Sequence, residues 1–368
     1  MTSTPASVGA RVSALDGLRG LVIISVVVNH AGGVLWPRGG IYDVPVLRGL
    51  LGGGAVVVFF VVGGFIVTRG LLKDTERGAL DPARFYLRRL VRLWPQLAVL
   101  CVAVWTVLRL EPVSPPPQDV ANSATHVMTF TLNLYANDHL LSMQPEFGHL
   151  WYLSVQQQCY LVLPLVIVLL GRRRIALVAM LLVLIGLVFW QRQEVLDSHG
   201  WVIASSRTTT RADGLLWGVA LAVALPWLAR VRRWGAVLAF SLLALLVLKL
   251  VLLELPPMAY LGAWSLAFTA IAGVVVVAIW QLPAPTRVSR LLSWRPLARL
   301  GRSSLAIYLW HVPIILVLSR HTSGWTWPER TALALLILAV IVVVMERWVD
   351  EPVRRWLATG RVFRLQPA

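Results

Sequence analysis

Residues 14–36 read ALDGLRGLVIISVVVNHAGGVLW, one short hydrophobic helix with Arg19 and His30 at its ends. At 1.5 Å rise per residue, the eleven residues from Arg19 to His30 cover about 16 Å of helix axis. A bilayer's hydrocarbon core is about 30 Å thick. With Arg19 at one membrane face, His30 therefore sits near the middle. An ionisable side chain at that depth is expensive and by default marks a functional site. The same position also suits a histidine that is simply hydrogen-bonded inside a helix bundle.

The rest of the chain supports the membrane reading. It is 58% hydrophobic and 14% charged, with a mean hydropathy of +0.73. Several apolar runs reach about 20 residues, enough to span a bilayer. The net charge of +17 would first suggest nucleic acid. The basic residues, however, lie in short clusters between apolar runs, which is how membrane topology is written. No nucleic-acid partner is expected. Cys101 and Cys159 both fall inside apolar runs and suggest neither a disulfide framework nor a metal site. The first apolar run lacks a convincing cleavage site and is expected to stay as a signal anchor. No apolar-poor stretch is long enough for an appended soluble domain. Any second catalytic step is thus expected from another protein.

The expected fold is all-α, a polytopic integral membrane protein of about ten spans. These cover roughly 20–36, 50–72, 89–109, 150–170, 175–190, 211–229, 235–253, 260–281, 302–319 and 330–348. Residues 1–13 and 358–368 form the tails of a domain covering 14–357. One set of connections carries Arg69 to Arg92, Arg172 to Arg174, Arg230 to Arg233, Arg287 to Arg302, and Arg347 to Arg364. The opposite set holds only Arg38, Arg48, Arg109, Arg192, Arg207, Arg211, Arg320 and Arg330. This bias puts both termini in the cytoplasm. All seven histidines then fall in spans or on the outer side. The spacing of His126, His139, His149, His199 and His321 matches no metal-ligand motif, so no metal is expected.

Four constellations are candidates for chemistry. Arg84, Arg88, Arg89 and Arg92 lie within nine residues at the start of the third span. Arg88 and Arg92, and likewise Arg89 and Arg92, share a helix face. They suit anchoring to acidic lipid. They equally suit a phosphate site such as coenzyme A requires, because guanidinium groups bind phosphate bidentately. The fourth span opens HLWYLSVQQQCY from His149, with three consecutive glutamines inside an apolar helix. These are interhelical hydrogen-bond glue or the polar lining of a substrate cavity. Arg211 and Asp213 stand at the outer end of the sixth span. His311 lies about 14 Å along the ninth span from Arg302, again near mid-depth.

Together these segments resemble the membrane acyltransferase family 3, which includes O-antigen and cell-wall O-acetyltransferases. The resemblance runs from about Ala14 to Arg355 and keeps the order of seven motifs. They are Arg19 and His30 ten residues apart in the pattern, FFVVGGFIV from Phe59, and RRLVRLWP from Arg88. HLWYLSVQQQCY corresponds to a HLWSLSVEEQFY-like segment. RADGLLWG, YLWH at Tyr308 to His311, and Glu351-Pro352 complete the series.

The resemblance implies transfer of an acyl group, acetyl in the commonest case, from cytoplasmic acyl-CoA. The acceptor would be a hydroxyl of a cell-envelope glycan, a glycolipid or a secreted metabolite. It implies a multi-pass protein of the bacterial inner (plasma) membrane, in contact with membrane lipid. His30 would be the catalytic base, with Arg19, Gln156 and His311 beside it. Arg88, Arg89 and Arg92 would hold the CoA phosphates. Asp16, Trp151, Gln157, Tyr160, Arg211, Asp213, Tyr308 and Glu351 would bind substrate.

Two departures matter. The family's glutamate pair is Gln156 and Gln157 here, and an amide takes no proton. If those carboxylates do acid–base or histidine-orienting work, the chain is expected to be slow, to use another partner such as Asp16 or His311, or to be inactive. The usual serine of the Phe-Phe segment is Gly63. The glutamines also admit an alternative, a non-catalytic or transporter-like relative that binds acyl-CoA or lipid.

Overall fold

The computed structural model describes residues 8–36, 43–51, 53–112, 114–253, 255, 257–282 and 286–358. Arg38, Arg361 and Arg364, most of the N-terminal tail and nearly all of the C-terminal tail lie outside these. Among the described residues there is no strand. Nine helical stretches among the described residues are long and apolar enough to cross a membrane. The helices at the ten expected spans are α1 (Val8–Val34), α2 (Ala55–Glu76), α3 (Pro82–Leu110), α4 (Trp151–Leu170) and α5 (Arg174–Ala204). The series continues with α6 (Asp213–Leu228), α7 (Trp234–Leu253), α8 (Trp264–Gln281), α9 (Ser304–His321) and α10 (Trp327–Met345). The chain is a multi-pass membrane protein.

Helix α6 differs from the expected span. It has 16 residues, so it is about 24 Å long and shorter than the hydrocarbon core. Helix α1 begins at Val8, well before the expected start. Arg19 is therefore internal to the helix rather than at its entry. Helix α5 runs on past residue 190 to Ala204 and breaks only at Gly200, whose φ of 77° is left-handed. Arg192 thus belongs to a helix and not to an outer loop.

Local sequence explains several boundaries. Asp81 caps α3 by accepting from the Arg84 backbone N–H at 3.0 Å, with Pro82 at the first helical position. Thr326 and Glu329 form a capping box at the start of α10. Leu161, Leu165 and Leu169 on α4 and Phe240 and Leu243 on α7 are exposed, as a lipid-facing surface requires.

Glycines set the tightest contacts. A Cβ on Gly64 of α2 would lie 2.3 Å from the Leu215 carbonyl oxygen of α6. One on Gly218 of α6 would lie 2.2 Å from the Val61 carbonyl oxygen. A second close approach seats α1 on two short helices, Arg287–Leu292 and Arg295–Arg302. There a Cβ on Gly17 or on Gly301 would each meet a carbonyl oxygen at 1.7 Å, that of Leu292 and of Asp16 respectively. Helix association in membranes relies on such small-residue contacts.

Gly301→Ala and Gly218→Ala are expected to destabilise the fold by about 1–3 kcal/mol each. Gly186→Ala, which would meet nothing within 4 Å, is expected to be neutral or slightly stabilising. Melting of the purified variants in detergent, followed by tryptophan fluorescence, checks the contrast.

Candidate functional site

Two histidines that are far apart in sequence meet between α1 and α9. His311 is buried, and its Nδ1 lies 2.7 Å from the Tyr308 carbonyl oxygen and 3.2 Å from that of Ile307. Nδ1 therefore carries the proton, and Nε2 is the acceptor. That Nε2 faces Nδ1 of His30 at 3.2 Å. His30 Nδ1 also lies 2.9 Å from the Val26 carbonyl oxygen. Both of these partners accept, so the hydrogen-bond network assigns the His30 proton to Nδ1. The basic nitrogen of His30 is then Nε2. His149 packs its ring against both Tyr308 and His311, with centroids 5.1 Å away in each case.

Two cavities flank this cluster. One, of about 200 Å³, is lined by Arg19, Arg89 and Arg92 together with Gln156, Gln157 and Tyr160. Arg19 is fixed by Asp16 at 3.1 Å and by the Ser304 hydroxyl at 2.7 Å. The Arg89 guanidinium lies 3.5 Å from the centre of the Tyr160 ring. Three guanidinium groups line this cavity, with Asp16 paired to Arg19 and the Asp350 carboxylate acting on Arg92.

The other cavity, of about 420 Å³, is lined by His30, His149, Trp151, Trp201, Arg211 and Tyr260, among others. Its lining lies at the opposite helix ends, such as Gly54 before α2 and Ser205 after α5. Tyr308 lines both cavities. Its hydroxyl donates to the His149 carbonyl oxygen, which holds the ring between them.

The acyltransferase 3 family, described as an acyltransferase domain, matches residues 12–346. The chain belongs to this family. Peptidoglycan O-acetyltransferase OatA of Listeria monocytogenes is 30% identical over 370 residues, covering 94% of this chain and 56% of that protein. The putative peptidoglycan O-acetyltransferase YrhL of Bacillus subtilis is 29% identical, covering 92% of this chain and 54% of its own length. O-acetyltransferase OatA of Staphylococcus aureus is 26% identical, covering 93% and 57%. The chain thus spans about half the length of the curated relatives it matches. No solved structure matches it.

Within this acyltransferase fold, the residues singled out from sequence separate into groups. Arg19, Arg89, Arg92, Gln156, Gln157, Tyr160 and Tyr308 share the basic cavity. His30, Trp151, Arg211 and Tyr308 share the other. Arg88 points away and is exposed, because its neighbour Arg89 takes the inward face of α3. Asp16 touches neither cavity and holds Arg19. Glu351 lies outside both cavities and pairs with Arg355 on the same short helix.

Asp213 is also outside both. It is buried and accepts from two nitrogens of Arg192, each at 3.1 Å. Arg192 has no exposure at all, and it also donates to the Thr210 carbonyl oxygen at 2.9 Å. Sequence reasoning placed Arg192 among outer charges. The signal that could have found the pair is an arginine in the continuation of an apolar helix, which must have a carboxylate partner.

Sequence reasoning took His149 as the first residue of the glutamine motif and as an outer histidine without a metal role, and did not place it beside His311. The two departures from the family pattern are neighbours in space. A Cβ at Gly63 would lie 3.0 Å from Gln156 Nε2 and 2.5 Å from the Tyr160 hydroxyl. The third glutamine, Gln158, does different work. It donates to the Phe130 carbonyl oxygen at 2.8 Å and to Asn133 at 2.9 Å, and it accepts from the Thr208 hydroxyl. Among the described residues, no group of three metal-ligating side chains comes together.

Removing one member of the Arg192–Asp213 pair strands a buried charge, which costs about 3–5 kcal/mol. Arg192→Met alone is expected to lower the melting temperature sharply. The double variant Arg192→Met with Asp213→Leu is expected to recover most of the loss in the same measurement.

Proposed function

We propose that this chain transfers an acyl group, acetyl in the commonest case, from acyl-CoA to a hydroxyl of a cell-envelope acceptor. The supporting observation is the His30–His311 hydrogen bond beside Tyr308, the residue common to both cavities. In this reading the basic cavity faces the cytoplasm, as the clustering of arginines favours, and the protein resides in the bacterial inner membrane. Arg19, Arg89 and Arg92 hold the phosphates of acyl-CoA, and the thioester points toward Tyr308. The acceptor enters the other cavity.

His311 acts as a positioning residue. It fixes the His30 tautomer, much as the third member of a catalytic triad fixes its histidine. His30 Nε2 takes the proton of the acceptor hydroxyl as that oxygen attacks the thioester carbonyl carbon. The carbon–sulfur bond breaks, and CoA leaves as a thiolate that is then protonated. The names of the relatives favour a glycan hydroxyl as acceptor, peptidoglycan in their case. A glycolipid or a secreted metabolite meets the same chemistry.

Gln156 donates to the Tyr152 hydroxyl at 2.7 Å and offers no carboxylate to this cavity. That favours a second reading, a relative that binds acyl-CoA without transfer. Purified protein in nanodiscs, given labelled acetyl-CoA and an envelope extract, separates the two. The proposed reaction predicts label transfer that His30→Ala lowers by about 10²–10⁴-fold. Arg89→Gln and Arg92→Gln should chiefly raise KM for acetyl-CoA. CoA binding with no transfer, and transfer appearing only in Gln156→Glu, would establish the second reading instead.

A further inference from the structure

Arg211 is a charged side chain of the outer cavity that no carboxylate among the described residues answers. It is 5% exposed, and it lines the same cavity as His30. Its Nε meets no acceptor, and no carboxylate among the described residues pairs with it. Asp213, two residues on, is taken by Arg192, and the Thr269 hydroxyl also reaches the same carboxylate oxygen at 3.4 Å. What Arg211 has is the Trp151 ring, 5.4 Å from its guanidinium carbon. An aromatic face attracts a cation, but it does not replace a carboxylate for a buried guanidinium.

The position is also built rather than incidental. The Thr208–Arg211 turn is tied from two sides, by Gln158 to the Thr208 hydroxyl and by Arg192 to the Thr210 carbonyl oxygen. The Thr210 hydroxyl donates to the Ala204 carbonyl oxygen at 2.7 Å, closing the turn onto α5. A charged fork held rigidly, desolvated and unpaired on a cavity wall is a receptor for an oxyanion. The cavity adds Trp151, Trp201 and Tyr260, flat apolar surfaces of the kind that face a sugar ring.

We infer that the outer cavity takes an anionic acceptor, a sugar whose carboxylate or phosphate is received by Arg211 while its hydroxyl meets His30. This rests on the reading of His30 as the centre of acylation. Arg211 then selects the acceptor by leaving a buried charge unpaired whenever a neutral sugar enters.

The test uses the full chain in nanodiscs and matched probes. These are methyl glucuronide against its methyl ester, and a hexose phosphate against the parent hexose. Binding is read by tryptophan fluorescence, and acyl transfer from labelled acetyl-CoA is read beside it. The wild type is expected to bind at least one anionic probe about tenfold or more tighter than its neutral partner. Whichever anion shows the gap, carboxylate or phosphate, is the one the site reads. Arg211→Gln should close that gap to within about twofold, and Arg211→Lys should restore part of it. Size-exclusion profiles matching the wild type certify that the variants fold.

Equal affinity for both members of each pair in the wild type would overturn the inference. So would a preference that survives in Arg211→Gln. Anion-selective binding lost in Arg211→Gln, without transfer to any probe, would uphold the anion site and instead count against His30 as the acylation centre.

Discussion

Backbone touches backbone at Gly17 and Gly301, and again at Gly64 and Gly218, and the site exists because it does. In lipid, helices gain nothing by hiding apolar side chains from one another, since the solvent is equally apolar. Close packing and internal hydrogen bonds must hold the bundle. A glycine removes the Cβ that would keep two backbones apart. The first contact locks the Arg19 end of α1 onto the short helices before α9. The second locks α2 onto α6, the helix that begins beside Arg211.

Polar pairing then does what glycine packing cannot. Arg192 and Asp213 neutralise one another deep in the bundle, and in doing so they fix the turn before α6. His30 and His311 likewise join α1 and α9 through a single hydrogen bond. In both cases a buried polar group finds one partner of defined geometry, and that partner sets an orientation. Replacing the glutamate pair by Gln156 and Gln157 belongs to the same economy. Beside Gly63, a neutral amide occupies space where a serine and a carboxylate would be expected.

Much of the fold is legible along the chain, because runs of apolar residues and clusters of arginine are one-dimensional signals. The helical class and the approximate spans follow from them. Helix rise also gives the expectation that His30 and His311 lie at similar heights, and the two rings do meet. What a linear reading cannot supply is which face of a helix turns inward. Arg88 and Arg89 are adjacent in sequence, yet only Arg89 lines the basic cavity. Nor can it see pairs closed by tertiary contact. Asp213 reads as a substrate residue until Arg192, twenty-one positions earlier, is found on it. Helix α6 was expected as an ordinary span, and its 16 residues show only when its ends are fixed in space.

The Tyr308 ring is a partition shared by two chambers that approach it from opposite ends of the bundle. A membrane is also an insulator, and it holds a voltage only as long as no continuous file of water crosses it. Tyr308 lines both chambers, and its ring is pinned by the bond from its hydroxyl to the carbonyl of His149. Holding that ring in place therefore bears on leakage as well as on chemistry. In the proposed reading, two chambers that open to opposite faces can stand close together and still be kept apart by a fixed side chain.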